Sequence, residues 1–118
     1  MSEFVATLHD VFERLGPIRL RKMFGGYGVY HQDAMFGLTA DDVLYLKADA
    51  ENVSYFEQKG LKQFEYLKNE KIVKMSYYLA PDEIFDDRDE AALWARRSLA
   101  ASGRGQTARK VRRPPRKK

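Results

Sequence analysis

Between Arg21 and Tyr30 the sequence RKMFGGYGVY sets two cations beside three glycines, Gly25, Gly26 and Gly28. Glycines in such a cluster let a backbone approach a phosphate, and neighbouring cations neutralise it, so the first chemistry to weigh is nucleotide binding. A Walker-type loop needs a lysine and a hydroxyl residue directly after its last glycine, with a helix beyond. Gly28 is followed by Val29 and Tyr30 instead. The dinucleotide spacing fails as well, because Gly26-Tyr27-Gly28 leads into Val29, Tyr30 and His31, which read as strand rather than helix. The structural alternative makes Gly25, Gly26 and Gly28 architectural: a tight turn or bulge at Gly25-Gly26, with Gly28 admitting a close backbone or ring. A small-molecule or nucleotide-binding domain using Arg21 to Gly28 as an anion site stands as the second reading.

Other chemistries find less support. The two histidines, His9 and His31, fall on different elements, on the polar side of a helix and in a turn, without a carboxylate at ligand spacing. The run PDEIFDDRDEA collects Asp82, Glu83, Asp86, Asp87, Asp89 and Glu90, yet it lacks the glycine and terminal glutamate of a calcium loop, so it reads as a solvated, helix-capping connection. No serine or threonine sits in a nucleophile elbow. With no cysteine, thiol catalysis, thiolate metal sites and disulfides are excluded, and a reducing cytoplasm fits best. The expectation is a protein that is not an enzyme, with no catalytic residue, metal or cofactor.

The elements that would carry these residues follow from periodicity. Residues 2 to 15 place Phe4, Val5, Leu8, Val11, Phe12 and Leu15 at helical spacing behind a Ser2 cap, and Gly16-Pro17 ends the helix. Segments at about 18–24, 26–31, 34–39 and 43–48 read as three or four strands joined by links short enough for antiparallel neighbours. A short helix is expected over 50–60, with Asp49 as cap and Gly60 as terminator. A hairpin through Lys68 to Lys71 follows, in which Tyr66 and Tyr77 meet. A last helix is capped by Asp89 and built around Trp94. The order α-β-β-β(-β)-α-β-β-α predicts an α+β fold, an antiparallel β-sheet with flanking helices.

Charge divides the chain at Ala101. Eight of the 21 bases, Arg104, Arg109, Lys110, Arg112, Arg113, Arg116, Lys117 and Lys118, lie beyond it with no acid among them, leaving 13 bases against 17 acids before it. Residues 1–101 are thus expected to form the folded domain, and residues 102–118 a disordered basic tail that attracts nucleic acid without regard to sequence. Neither a signal peptide nor a membrane span is visible.

From Arg21 to Asp49 the sequence RKMFGGYGVYHQDAMFGLTADDVLYLKAD resembles the amino-terminal domain of the TfoX/Sxy family of bacterial competence regulators. The likeness is carried by Met23-Phe24-Gly25-Gly26 with Tyr27 and Gly28, by MFGL at Met35 to Leu38, by LYLK at Leu44 to Lys47, and by YYLAPDEIFDD further on. It covers about residues 1 to 100. It implies an α+β domain, a role without catalysis, and transcriptional coactivation of competence genes alongside the cyclic-AMP receptor protein. Together these readings predict a regulatory binding module with a transcription-related protein partner. Arg21, Lys22, Met23, Phe24, Tyr27 and Tyr30 are its candidate interface, and homodimerisation through a sheet edge or this aromatic patch is a further expectation.

Overall fold

The computed structural model describes residues 2–23 and 25–112, from residue 107 onward as backbone alone. Phe24 and the basic residues Arg113, Arg116, Lys117 and Lys118 lie outside the described residues. The elements are α1 (Glu3–Val11), β1 (Arg19–Met23), β2 (Gly26–His31), β3 (Ala34–Ala40), β4 (Val43–Lys47), α2 (Val53–Glu57), β5 (Gln63–Lys68), β6 (Lys71–Leu79), a 3-10 turn at Asp82–Phe85, and α3 (Arg88–Arg112). The six strands form one antiparallel sheet in the order β1-β2-β3-β4-β6-β5, and the fold is α+β.

Three hairpins in this sheet turn on residue pairs with positive φ: Gln32-Asp33, Asp41-Asp42 and Asn69-Glu70. Two left-handed residues in succession give the turn whose twist matches that of the strands. β2 and β3 shift register at Val29/Tyr30: Val29 faces Gly37 while Tyr30 faces Met35, and the surplus residue, Phe36, turns into the core. There its ring meets Phe12 edge-on at 5.1 Å between centroids.

The helices all lie on one side of the sheet. Leu8, Val11 and Phe12 from the first helical segment, Phe56 from α2, and Ala91, Trp94 and Ala95 from α3 pack with Val29, Phe36, Leu44 and Leu46 in one buried cluster. Phe56 is held between Tyr78 at 5.4 Å and Trp94 at 5.1 Å. The hydroxyl of Ser98, fully buried, donates to Lys47 O at 2.8 Å and ties α3 to the end of β4.

Several local expectations need correction. α1 stops at Val11 rather than Leu15, with Phe12 as its C-cap. The Ser2 cap forms as expected, its hydroxyl accepting from Val5 N. The cap of α3 is Asp87, not Asp89, since its carboxylate accepts from Asp89 N and Glu90 N. Tyr66 faces Val73 across the β5–β6 hairpin, so it does not meet Tyr77. His31 sits at the end of β2, where its Nδ1 donates to Pro17 O at 2.7 Å.

The largest difference is at the carboxy-terminal end. Instead of ending near Ala101, α3 runs to Arg112, through part of the segment expected to be disordered. Ala101 is fully buried, and Arg104 reaches back to Asp49, donating from Nε to Oδ2 at 2.7 Å and from an Nη to Oδ1 at 2.9 Å. Its Nε also lies 3.2 Å from a carboxylate oxygen of Glu51. These contacts to residues some fifty positions earlier hold the helix through a sequence containing Gly103 and Gly105, whose own propensity opposes it.

Candidate binding face of the sheet

With the helices on one side, the opposite face of the sheet carries no secondary-structure layer among the described residues. Directly paired residues of an antiparallel sheet share a face and alternate residues change face, so the register assigns each side chain. Arg21, Gly28, Leu38, Tyr45 and Leu79 form one row across the open face; Met23, Gly26, Ala40 and Val43 form the next; Arg19, Tyr30 and Met35 form a third. Lys47 faces Tyr77, Tyr66 faces Val73, and Lys68 faces Lys71.

The face is concave. A flat sheet at about 4.8 Å per strand would set β1 and β5 roughly 24 Å apart. Here Met23 of β1 and Phe64 and Tyr66 of β5 line one cavity of about 180 Å³, together with Leu38, Ala40 and Met75. Curling accounts for the burial of Leu38 and Tyr77 on a face without helices. Tyr45 and Phe64 lie 4.7 Å apart, and Phe64 and Tyr66 stack at 6.1 Å with 30° between their planes. Burial, followed by the proximity of Tyr30, pushes the Tyr77 phenol up to about 12.

Cations border these rings. The Arg19 guanidinium lies 5.5 Å from the Tyr30 ring centroid and also pairs with Asp33 at 3.4 Å. Lys47 Nζ lies 5.2 Å from the Tyr77 ring and donates to Ser76 Oγ at 2.7 Å. Among the strand residues the sole carboxylate is Glu65, which points to the helix side and pairs with Lys74. The carboxylates of Asp33, Asp41, Asp42 and Glu70 stand in the turns at the sheet's rim.

The candidate interface read from sequence is therefore divided. Arg21, Met23 and Tyr30 share the open face, whereas Lys22 and Tyr27 occupy the row of Thr39 and Leu44 on the other. Arg21 and Lys22, as strand neighbours, cannot converge on one anion. A polar pocket beside Gly25 and Gly26 is lined by Ser2, Asp41 and Asp42, which suits a phosphate poorly. Steric fit accounts for two of the glycines: a Cβ on Gly26 would lie 1.8 Å from Thr39 O, and one on Gly28 would lie 2.8 Å from Met23 Sδ. Among the described residues no group of three or more His, Asp or Glu side chains is placed to hold a metal. No helix there is long and apolar enough to cross a membrane.

Of the basic residues beyond Ala101, Arg104 is occupied by Asp49 and Glu51. Its guanidinium, as hydrogen-bond donor, holds the Asp49 carboxyl below its ordinary value, and that bond raises Arg104 in turn. Arg109, Lys110 and Arg112 continue the helix.

Sequence reasoning assigned none of Tyr45, Lys47, Phe64, Tyr66, Lys68, Lys71 and Tyr77 to a binding surface, and named Tyr66, Tyr77, Lys68 and Lys71 only as parts of a hairpin. A period-two signal was available, since Phe64, Tyr66 and Lys68 alternate on β5 and Lys71, Val73, Met75 and Tyr77 on β6. Which parity faces the helices follows only from the strand order.

Residues 10–102, which include the whole sheet and α3 as far as Ser102, match the family described as the TfoX N-terminal domain. The chain belongs to the TfoX N-terminal domain family. Two relatives of this TfoX N-terminal domain are the DNA transformation protein TfoX1 of Aliivibrio fischeri and the protein Sxy of Escherichia coli. The first is 31% identical over 93 residues, covering 79% of this chain and 44% of the relative. The second is 26% identical over 111 residues, covering 94% of this chain and 50% of the relative. The chain thus spans about half the length of each of these relatives.

Proposed function

We propose that this TfoX N-terminal domain is a regulatory binding module of a DNA-transformation system. It acts by association rather than catalysis, and its working surface is the open, concave face of the sheet. The observation that carries this reading is the composition of that face: aromatic, methionine and cationic side chains, with strand carboxylates directed elsewhere. A sheet normally buries the more apolar of its faces and wets the other. A second face rich in rings and methionines is instead a surface kept for a partner. The match to the family and the printed name of the Aliivibrio fischeri relative support a role in DNA transformation. Expression control together with a transcription-related protein is the form of that role which the family resemblance suggests.

The basic carboxy-terminal segment adds sequence-blind attraction for nucleic acid. Seven of its eight cations follow Gln106. If about four to six of them neutralise phosphates, log affinity falls with log salt at a slope near −4 to −5. Truncation after Gln106 keeps the Arg104 contacts and should flatten that slope.

The regulatory reading is tested in the native host with chromosomal variants. Arg21→Glu combined with Lys71→Glu, both on exposed positions of the open face, is expected to lower transformation frequency and transcripts of DNA-uptake genes at unchanged protein level. Arg14→Ala, an exposed position on the helix side, should leave both at wild-type level. Wild-type output from the face variant would remove the reading.

A further inference from the structure

We infer that the open face binds single-stranded nucleic acid, a conclusion that rests on the reading of this face as the working surface and names its ligand. Five cations, Arg19, Arg21, Lys47, Lys68 and Lys71, project from strand positions on this side, and no carboxylate does. The residues before Ser102 carry an excess of acid, 17 against 13 bases, so the charge of the folded body is segregated. Apart from Glu65, on the helix side of β5, its carboxylates lie off the strands, and the sheet's open side is basic.

Lys68 and Lys71 are paired directly across the end of the β5–β6 hairpin. Like charges placed opposite one another on a sheet are destabilising. A polyanion laid on this face relieves that repulsion, which a neutral or basic protein partner would not.

Aromatic rings supply the second requirement. Tyr45, Phe64 and Tyr66 run as a contiguous series of rings from β4 to β5, and Tyr66 is 40% exposed at its outer end. Stacking of bases on such rings is sequence-tolerant because every base presents a π-face. The adjoining cavity, about 180 Å³ and bounded by Phe64, Tyr66, Met23, Leu38 and Met75, is somewhat larger than the roughly 150 Å³ that accommodates a benzene ring. It therefore has room for one six-membered base ring. Duplex DNA, with its bases stacked inside, offers no ring to this series.

The test uses the full chain and a labelled mixed-sequence oligonucleotide of about 12 nucleotides, within the range of one small binding domain. Its affinity is compared with that for the same sequence as a duplex, by fluorescence anisotropy at low and moderate salt. The basic tail contributes to both probes, so the face is read from the difference between them. The single strand is expected to bind more tightly. Tyr66→Ala should weaken it by about tenfold, the loss of one stacked base, while duplex affinity is unchanged. Tyr66→Trp should restore it, and Lys68→Glu with Lys71→Glu should weaken it without lowering thermal stability. Equal affinity for the two probes, or indifference to these substitutions, would overturn the inference. If single strands fail to bind while Arg21→Glu with Lys71→Glu still lowers transformation frequency, the face serves a protein partner instead. In that case the ligand assignment falls and the regulatory reading stands.

Discussion

Substituting Gly26 by alanine separates the architectural account of the glycine cluster from the phosphate-binding one. A Cβ built on Gly26 lies 1.8 Å from Thr39 O and 2.8 Å from Thr39 C, whereas ordinary contact begins at 3.4 Å. The obstruction is backbone, so no side-chain rotation relieves it, and β2 must move away from β3 where Gly26 faces Ala40 and Tyr27 faces Thr39. Separation there breaks about two backbone hydrogen bonds, each worth roughly 1 kcal/mol net. The displaced strand adds a packing loss of about 1–3 kcal/mol. The sum, about 3–5 kcal/mol, is a large part of the 5–15 kcal/mol that holds a typical domain together. Urea unfolding followed by far-UV circular dichroism measures it, and the melting temperature should fall by at least about 10 °C. Gly25→Ala is the internal control. Its φ is +76° but nothing lies within 4 Å of the added atom, so it should cost only about 1–2 kcal/mol. A Gly26→Ala protein within about 1 kcal/mol of wild type, or no less stable than Gly25→Ala, would refute the reasoning. So would a phosphate-induced rise in melting temperature that either substitution removed.

Three further outcomes follow from the packing. Arg104→Ala should cost about 1 kcal/mol at neutral pH, a charge-assisted contact discounted for its partial exposure. Because Asp49 titrates below its ordinary 3.8 when folded, the stabilisation is present above 3.8 and is lost as pH falls through the lowered folded value, so the two proteins should converge in acid when unfolding is followed against pH. Gly103→Ala and Gly105→Ala, with open space around both positions, should each raise stability by about 0.5–1 kcal/mol and increase helical ellipticity. Unchanged ellipticity would contradict a helix through these residues. Phe36→Ala should cost about 3–5 kcal/mol by emptying the site opposite Phe12, as read from the urea midpoint.

Much of the fold was legible because its information is local. β2, β3 and β4 are joined by short polar links, and each of the last three hairpin turns carries an Asp or Asn, the residues that most readily take positive φ. The course of α3 was not legible, because the contacts that hold it past Ala101 come from Asp49 and Glu51, far away in the chain. The open face was half legible. Alternation identifies which residues of a strand share a side, but the bulge at Val29/Tyr30 reverses the parity within β3. Counting back from Leu38 would put Phe36 on the open side, whereas it packs against Phe12 in the core. The candidate interface was split for the same reason: Lys22 and Tyr27 are near Arg21 and Tyr30 in sequence and on the opposite side of the sheet.

Backbone amide shifts of the isotopically labelled full chain, recorded while the single-stranded oligonucleotide is added, test the open face most directly. The account predicts that the largest changes fall on β1, β4, β5 and β6 around Arg21, Tyr45, Tyr66 and Lys71, with α1 and α2 unmoved. Changes confined to the residues after Gln106, with the sheet silent, would contradict it.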